Sequence, residues 1–519
     1  MSFPRLIQSS DEITNYVLLA LLKGCGRLKA LRHGKCVHGM ILKHGFRSHL
    51  PIMTSVLDMY SNCFRLQEAR KIFLEIERPD AIVINGMIAA YFRCYRPSDA
   101  VGLFYDSPSK DVGTWNSVLS GLVRISNNYE ALRFFKQMVC VGEKSDVITL
   151  VTVLSACGSL AASCNARQIH GIVVKHGHEK HIPVGNAIID MYAKVGEIED
   201  AYIYFKNTEL KNVITWTSLI VGYGKHGLGI EAIATFQQMV IAGFVPNKVT
   251  FVGILSACSH AGLVRQGLEI YRCMTEIYGI EPEMIHYGCV VDLLARYGQL
   301  EEAWKFITTM PVQPDSEMWT SFLSSCYFHK NKEFSKIAME KLLELNPEDA
   351  GSYVLLSNVC SWIGDLEGVA KARRWIMNKG IVKTKAQTWI EIDRTVHGFE
   401  SGGRSHPNYD IIVKYLGDLL ERIKAVGYVP NIDIVVQNVD DNLKEEMIRN
   451  HSEKLAIGFG LINTKPGTRI VIVKNLRVCS DCHAAIGFIS KMEGREIVAR
   501  DSTRFHRFRD GKCSCREHW

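Results

Sequence analysis

The sequence predicts an α-helical solenoid of stacked hairpins followed by a small α/β domain. Three observations carry that prediction. A pattern of 31 to 36 residues recurs through the first two-thirds of the chain. The apolar periodicity then changes from helical to alternating near residue 388. Finally, four of the 16 cysteines (Cys479, Cys482, Cys513 and Cys515) bunch beyond residue 450, in company with His451, His483 and His506.

Length and composition set the frame. A chain of 519 residues is too long for one hydrophobic core, so it must be several domains or a repeat array. With 47% hydrophobic and 22% charged residues, it reads as an ordered protein and not a disordered one. No window holds the ~20 consecutive apolar residues of a membrane span. The formal charge of +7 permits a polyanionic partner without establishing one. Arg5 and several serines near the start are met at once by Asp11-Glu12, giving a weak organelle transit peptide and no secretory signal. Without such a signal the cysteines read as thiols of a reducing compartment. The twelve from Cys25 to Cys360 lie mostly in apolar helical patterns and read as small buried hydrophobes.

Self-comparison establishes the repeat. "VGTWNSVLSGLVRISNNYEALRFFKQM" (112–138) recurs as "VITWTSLIVGYGKHGLGIEAIATFQQM" (213–239). "LPIMTSVLDMYSNCFRLQEARKIF" (50–73) recurs as "IPVGNAIIDMYAKVGEIEDAYIYF" (182–205). Each unit carries two apolar stripes at helical spacing, separated by a polar or Gly-containing turn. One hairpin cannot bury both faces alone, so consecutive units must stack into a right-handed solenoid with a concave groove. A period near 34 also suits tetratricopeptide repeats, but their bulky signature residues are not where the first helix requires them.

From Ser316 the repeat degrades into two more hairpins, which would close the exposed apolar end of the array. "TWIEIDRTVHGFESGG" (388–403) then alternates as a β-hairpin does. "NYDIIVKYLGDLLERIKAVGYVP" reads as a helix, and "RIVIVKNL" and "REIVARD" as β-branched strands.

This last domain carries His451-Ser452-Glu453 and, downstream, Cys479-Ser480-Asp481-Cys482. One His and two Cys supply three ligands of a tetrahedral zinc and leave the fourth position open. A metal so held lowers the pKa of water to about 7, and Glu453 would shuttle protons instead of binding metal. The order H-x-E … C-x-x-C is the logic of zinc nucleobase deaminases, although the Pro usual before the first Cys is Val478 here. Both segments read as helix starts, so two positive helix ends would meet at the metal. The basic run Arg495, Arg500, Arg504, Arg507, Arg509 and Lys512 reads equally as a phosphate grip or a solvated surface. His406 and His518 read as exposed or hydrogen-bonding histidines.

The pattern "NxxLxxxYxKxGxxxxAxxxFxxM", seen at Asn186 to Phe205 and Trp216 to Met239, resembles pentatricopeptide repeats. The mixture of 35-, 36- and 31-residue units resembles the plant subclass that alternates three repeat lengths. Through "RSHP", "HSEKLAI-FGLI", "KNLRVCSDCH", "FISK", "REIV-RD" and "RFH-F-DGKCSC", the C-terminal stretch resembles the DYW domain of plant organelle RNA-editing factors. The resemblance implies an N-terminal segment at 1–13, RNA-recognition repeats at 14–315, degenerate extension repeats at 316–383 and a cytidine-deaminase-like domain at 384–519. It implies hydrolytic deamination of cytidine to uridine in mitochondrial or chloroplast transcripts. His451, Cys479 and Cys482 would hold a catalytic zinc with Glu453 as general acid/base. A second, structural zinc would take His483, His506, Cys513 and Cys515. For Cys513 and Cys515 the residues themselves leave open free thiols or a strained C-x-C disulfide.

The same resemblance implies that each repeat reads one base of single-stranded RNA through its fifth and last residues, by hydrogen bonds to the Watson–Crick edge. The pairs are Thr54/Asp80, Asn85/Asp111, Asn116/Asp146, Asn186/Asn212 and Thr217/Asn247. By the family's rules they select G, U, U, a pyrimidine and A, while the units bearing Val151 and Val252 act as spacers. Other editing-complex proteins are the further implied partners, and the alternative role is an RNA-binding specificity factor whose inactive deaminase domain serves them as a platform. After the C-x-C the family ends on Gly-Asp-Tyr-Trp, whereas this chain has Arg516-Glu517-His518-Trp519. That departure bears on substrate preference or rate.

Overall fold

The computed structural model describes residues 14–108, 110–160, 162–345, 347, 350–378, 385–435 and 439–516. The segment 1–13, the 383/384 boundary and Glu517-His518-Trp519 therefore lie outside the described residues. The chain forms two compact units, Met1–Cys157 and Gly158–Trp519.

In the first unit, helical hairpins follow one another: Leu50–Asn62 with Leu66–Glu75, Ala81–Arg93 with Pro97–Asp106, and Val112–Arg124 with Asn128–Cys140. Each first helix packs on the first helix of the next hairpin. Val56, Val83, Met87, Val118 and Leu119 are wholly buried along that stack. Phe104, Trp115 and Phe134 lock edge to face beside it, with ring centroids 4.6 Å and 5.6 Å from Phe104. The hairpin turns pass through left-handed backbone at Phe64, Tyr95 and Ser126, with φ of 57°, 57° and 61°. Equivalent turns of the later repeats have glycine there, at Gly196, Gly227, Gly262 and Gly298.

The second unit continues the pattern through first helices at Ile182–Val195, Val213–Lys225, Lys248–Ala261, Met284–Arg296 and Ser316–Phe328. A histidine at the end of several first helices bonds back to the helix before it. His226 Nε2 lies 2.8 Å from the Ala193 carbonyl, His260 Nδ1 3.0 Å from that of Gly224, and His329 Nε2 3.0 Å from that of Arg296. The last of these first helices, Ser316–Phe328, pairs with Lys332–Leu345. One further hairpin follows and ends at Asn378, and the two hairpins bury Trp319, Phe322, Tyr353 and Leu356 in one cluster. Among the described residues no helix is long and apolar enough to cross a membrane.

The C-terminal region is a six-stranded sheet with helices packed on it. Its strands are β1 (Gln387–Ile392), β2 (Thr395–Glu400), β3 (Ile470–Lys474), β4 (Ile497–Arg500), β5 (Phe505–Arg509) and β6 (Lys512–Cys513), in the order β2-β1-β3-β4-β5-β6. Only β3 and β4 pair in parallel, and the helix Ser480–Glu493 makes the crossover between them. The alternation at 388–403 forms the expected hairpin, turned by Asp393 and Arg394 at φ of 48° and 64°. The helices Tyr409–Ala425 and Ser452–Asn463 bury Ile412, Leu416, Leu419, Leu455 and Phe459 against Ile470, Ile472 and Ile486. Gly460 permits the approach of its helix to the sheet, since a Cβ there would sit 2.8 Å from the Ile390 side chain. The short β5 and β6 and the helix Asp441–Arg449 had no legible sequence pattern, being too brief for a period to show.

The cysteine expectation needs correction. Of the twelve upstream cysteines, Cys25, Cys157, Cys258, Cys326 and Cys360 are buried, but Cys36, Cys140 and Cys164 are exposed. Their helices turn only one stripe to the core, and these three lie off it.

Candidate functional site

Two helix N-termini converge on the first His/Cys cluster. His451 is the N-cap of Ser452–Asn463, and Cys479 is the N-cap of Ser480–Glu493, its sulfur accepting from the Cys482 amide at 3.4 Å. Cys482 lies in the same first turn. His451 Nδ1 stands 3.5 Å from Cys479 Sγ and 3.4 Å from Cys482 Sγ. Around a tetrahedral zinc with Zn–S of ~2.3 Å and Zn–N of ~2.05 Å, N and S ligands are ~3.6 Å apart, so the three atoms fit that ion. The hydrogen bond from Cys482, together with His451, holds Cys479 well below the usual thiol range, and burial holds Cys482 above it. Both helix ends also favour negative charge at this point.

Glu453 follows in the first turn and is wholly buried. Its Oε2 accepts from Ser452 Oγ at 3.1 Å, which in turn accepts from Thr388 Oγ1 at 2.9 Å. Its Oε1 is paired with the ammonium of Lys474, at the end of β3. Burial pushes the Glu453 carboxyl up, but Lys474 and His451 more than offset it and leave it below the ordinary value.

The second cluster brings together His483, His506, Cys513 and Cys515, whose ligand atoms all lie within 4.8 Å of one another. His483 Nε2 is 3.2 Å from Cys515 Sγ, and His506 Nδ1 is 3.8 Å from Cys513 Sγ. Four such donors, three of them buried, fit a closed zinc site. The neighbouring Cys513, with His483 and His506, holds Cys515 far below the usual thiol range. Asp501 takes the other ring nitrogen of His506 at 3.3 Å, the orienting contact that metal-bound histidines commonly have.

A buried network outside the sequence expectations ties the first cluster together. Lys454 Nζ meets Asp481 Oδ2 at 2.6 Å, with the two side chains 1% and 0% exposed. Asp481 Oδ1 also accepts from the Tyr428 hydroxyl at 2.7 Å and the Asn431 amide at 3.0 Å. The available signal was a lone lysine inside the apolar helix "KLAIGFGL" and an aspartate within the C-x-x-C. Lys474 gave a similar one, as the charged end of an apolar strand.

The repeat positions lie at the starts of the first helices. Each expected last residue is an N-cap of the next first helix: the side chains of Asp80, Asp111, Asp146, Asn212 and Asn247 accept from the amides of Val83, Thr114, Thr149, Thr215 and Thr250. The fifth residues reach the same caps. Asn116 donates to Asp146 at 3.0 Å and Asn186 to Asn212 at 3.3 Å. Thr217 meets Thr250, which also donates to Asn247. Thr54 donates instead to the Leu50 carbonyl of its own helix. His406 Nε2 faces His397 Nδ1 at 3.2 Å, and His518 lies outside the described residues.

Four of the six residues of the basic run are tied to protein partners, and two stay on the solvated surface. Arg495 is buried and donates to the Thr468 carbonyl and Thr464 hydroxyl, Arg507 pairs with Glu496, and Arg500 and Arg504 turn onto the repeats. Only Arg509 and Lys512 of the six are exposed. Strand pairing and the docked turns, not the spacing of charge along the chain, decide where each points.

Known proteins are similar to this chain along nearly its whole length. Residues 427–519 match the DYW family of nucleic acid deaminases, and residues 329–391 match the E motif. Residues 113–142, 186–213 and 211–276 match pentatricopeptide repeat families. The pentatricopeptide repeat-containing protein ELI1, chloroplastic, of Arabidopsis thaliana is 39% identical over 519 residues, covering all of this chain and 82% of its own. Another Arabidopsis thaliana pentatricopeptide repeat-containing protein is 38% identical over 486 residues, covering 94% of this chain and 64% of its own. The chain thus spans a little under two-thirds of that relative's length. The solved pentatricopeptide repeat protein PPR10 from maize covers 94% of this chain and 68% of its own, at 16% identity and a TM-score of 0.42.

Proposed function

The chain belongs to the plant pentatricopeptide repeat proteins that carry a DYW-type deaminase domain, and from that premise we propose that it edits organelle RNA, converting a cytidine to uridine. The observation that carries this reading is the junction of two features in one chain. A buried carboxylate stands beside an open His/Cys/Cys cluster, and a repeat array presents amide and hydroxyl pairs at regular intervals.

The reaction is hydrolytic: cytidine and water give uridine and ammonia. His451, Cys479 and Cys482 would hold a zinc, which would supply Lewis-acid activation of water near neutral pH. Glu453 accepts the proton from the attacking water and delivers it to the exocyclic nitrogen that leaves. Lys474 holds the carboxyl ionised and ready to accept that proton, and Ser452 fixes its second oxygen. His483, His506, Cys513 and Cys515 would hold a second, structural zinc that ties β5, β6 and the crossover helix into one body.

Single-stranded RNA is the partner of the repeats in this reading. Asn116 and Asn186, each bonded to a capping residue, and Thr217, bonded to Thr250, are preorganised to present hydrogen-bonding groups to a base edge, with Asn85 at the equivalent position. The chloroplastic relative supports an organelle as the compartment.

The test incubates purified zinc-replete protein with RNAs carrying the order G, U, U, pyrimidine, A at the readable repeats, and scores conversion of cytidine to uridine. Wild type is expected to convert and Glu453→Ala to be inactive. Binding without conversion would leave the platform role, and equal conversion by Glu453→Ala would overturn the site.

A further inference from the structure

The loop joining β4 to β5 touches the turns of four successive repeats. Arg500 donates to the carbonyls of Gly158 and, at 2.6 Å, of Ser159 and Lys194. Those carbonyls close the helices Val147–Leu160 and Ile182–Val195, where backbone acceptors lack helical partners and the dipole is negative. Phe505 stacks on His226 with centroids 4.1 Å apart and planes at 18°. Its ring lies 3.4 Å from where a Cβ on Gly196 would stand, so that glycine, at φ of +95°, serves both the turn and the contact. Arg504 donates to the His260 carbonyl at 3.2 Å, on the fourth turn.

Charge is matched in the opposite sense as well. Glu391 on β1 accepts from the Cys164 amide at 2.9 Å, at the positive start of Ser163–Lys175. Arg469 beside β3 pairs with Glu197 in the second turn. Carbonyl ends receive arginines and an amide end receives a carboxylate, which random apposition of two surfaces would not arrange.

The same loop reaches both metal clusters. Asp501 accepts from the amides of Thr503 and Arg504 at 2.8 Å and 2.9 Å, holding the loop in shape. It also holds His506, and it accepts at 3.4 Å from the amide of Val478, the residue before Cys479.

We propose that Arg500, Arg504 and Phe505 form a latch that seats the deaminase-like domain on the repeat turns from residue 158 to 262, and so sets which cytidine of a bound RNA is edited. The choice of cytidine rests on the editing function proposed above; the seating does not. These are positioning residues. A domain fixed to these turns holds a constant distance between Glu453 and the bases read at Asn186 and Thr217. An unseated one would sample several cytidines.

Hydrogen exchange on the full chain without RNA tests the seating. In an uncapped helix the first amides are free and exchange fast, as expected at residues 66–68 of Leu66–Glu75, which has no side-chain cap. The amides of 163–165 should exchange slower than these by on the order of tenfold or more, and Arg500→Ala/Arg504→Ala should remove that difference. Protection over Ser480–Glu493 and zinc content report whether the variant domain is intact. If it is not, Glu197→Lys loosens the contact from the repeat side with the deaminase-like domain unaltered. Equal exchange at the two helix starts in wild type, or protection unchanged in the variants, would overturn the latch. The second arm uses an RNA with cytidines at successive positions. Wild type should edit one and the unseated variant several; an unseated variant that still edits a single site overturns the register role. Absence of all editing by wild type refutes the function proposed above, while the exchange result still decides the seating.

Discussion

Replacing Asp481 with alanine should loosen the centre that holds Glu453, without touching a metal ligand or the carboxylate itself. Asp481 lies between Cys479 and Cys482, and Lys454 directly follows Glu453, so their ion pair clamps the first turns of both ligand-bearing helices. The pair is 2.6 Å long and at most 1% exposed, and Tyr428 and Asn431 add two further bonds to the carboxylate. Removal of the carboxylate leaves a buried ammonium, a hydroxyl and an amide without their acceptor. Breaking a buried pair from one side costs about 3–5 kcal/mol, or roughly two to four powers of ten in the local opening equilibrium. Native-state hydrogen exchange of Ser452–Asn463 reads that quantity directly. Lys454→Met/Asp481→Asn removes the stranded charge and keeps an acceptor for Tyr428 and Asn431, so it should recover most of the loss. A loss below ~1 kcal/mol for Asp481→Ala, or a double variant as damaged as the single one, would refute the reasoning, because the cost would not come from the stranded charge.

Cys515→Ser should lower the zinc content by one ion per chain, measured by metal analysis, and free the amides of β6 to exchange while Ser452–Asn463 stays protected. Asn212→Ala should destabilise its hairpin by about 1 kcal/mol through the lost cap, measured by exchange over Val213–Lys225. Tyr95→Gly should stabilise the first unit by about 1 kcal/mol in a urea titration, since only glycine is unstrained at φ of 57°. The latch should weaken in acid. Burial holds His226 down to about 4, with Arg507 and Lys225 pushing the same way against Glu199 and the Ala193 carbonyl. The stacking of Phe505 adds to that burial, so the unseated domain leaves His226 easier to protonate, and seating holds above pH 6.5 and weakens as the pH falls towards 4. Exchange at 163–165 across that range checks it, and His226→Gln should flatten the profile.

The repeat and the H-x-E and C-x-x-C residues of the first cluster were legible in the sequence because they depend on local spacing; the grouping of the second cluster, whose members lie up to 32 residues apart, was not. A stripe every three to four residues makes a helix, and H-x-E with C-x-x-C places donors on first turns wherever those helices start. The hairpin at 388–403 and the strands β3 and β4 followed from alternation in the same way. Short elements such as β5 and β6 were not legible, since their identity comes from the neighbour they pair with.

"KCSCREHW" and its upstream histidines offered donor side chains in the sequence, but only the folded chain brings His483, His506, Cys513 and Cys515 within 4.8 Å of one another. What Arg500, Arg504 and Lys474 do could be decided only by tertiary structure. A positive charge has the same signature in sequence whether it meets a phosphate, water, a buried carboxylate or a helix end. Its partner comes from residues up to hundreds of positions away, and only the folded chain brings Gly158 within reach of Arg500.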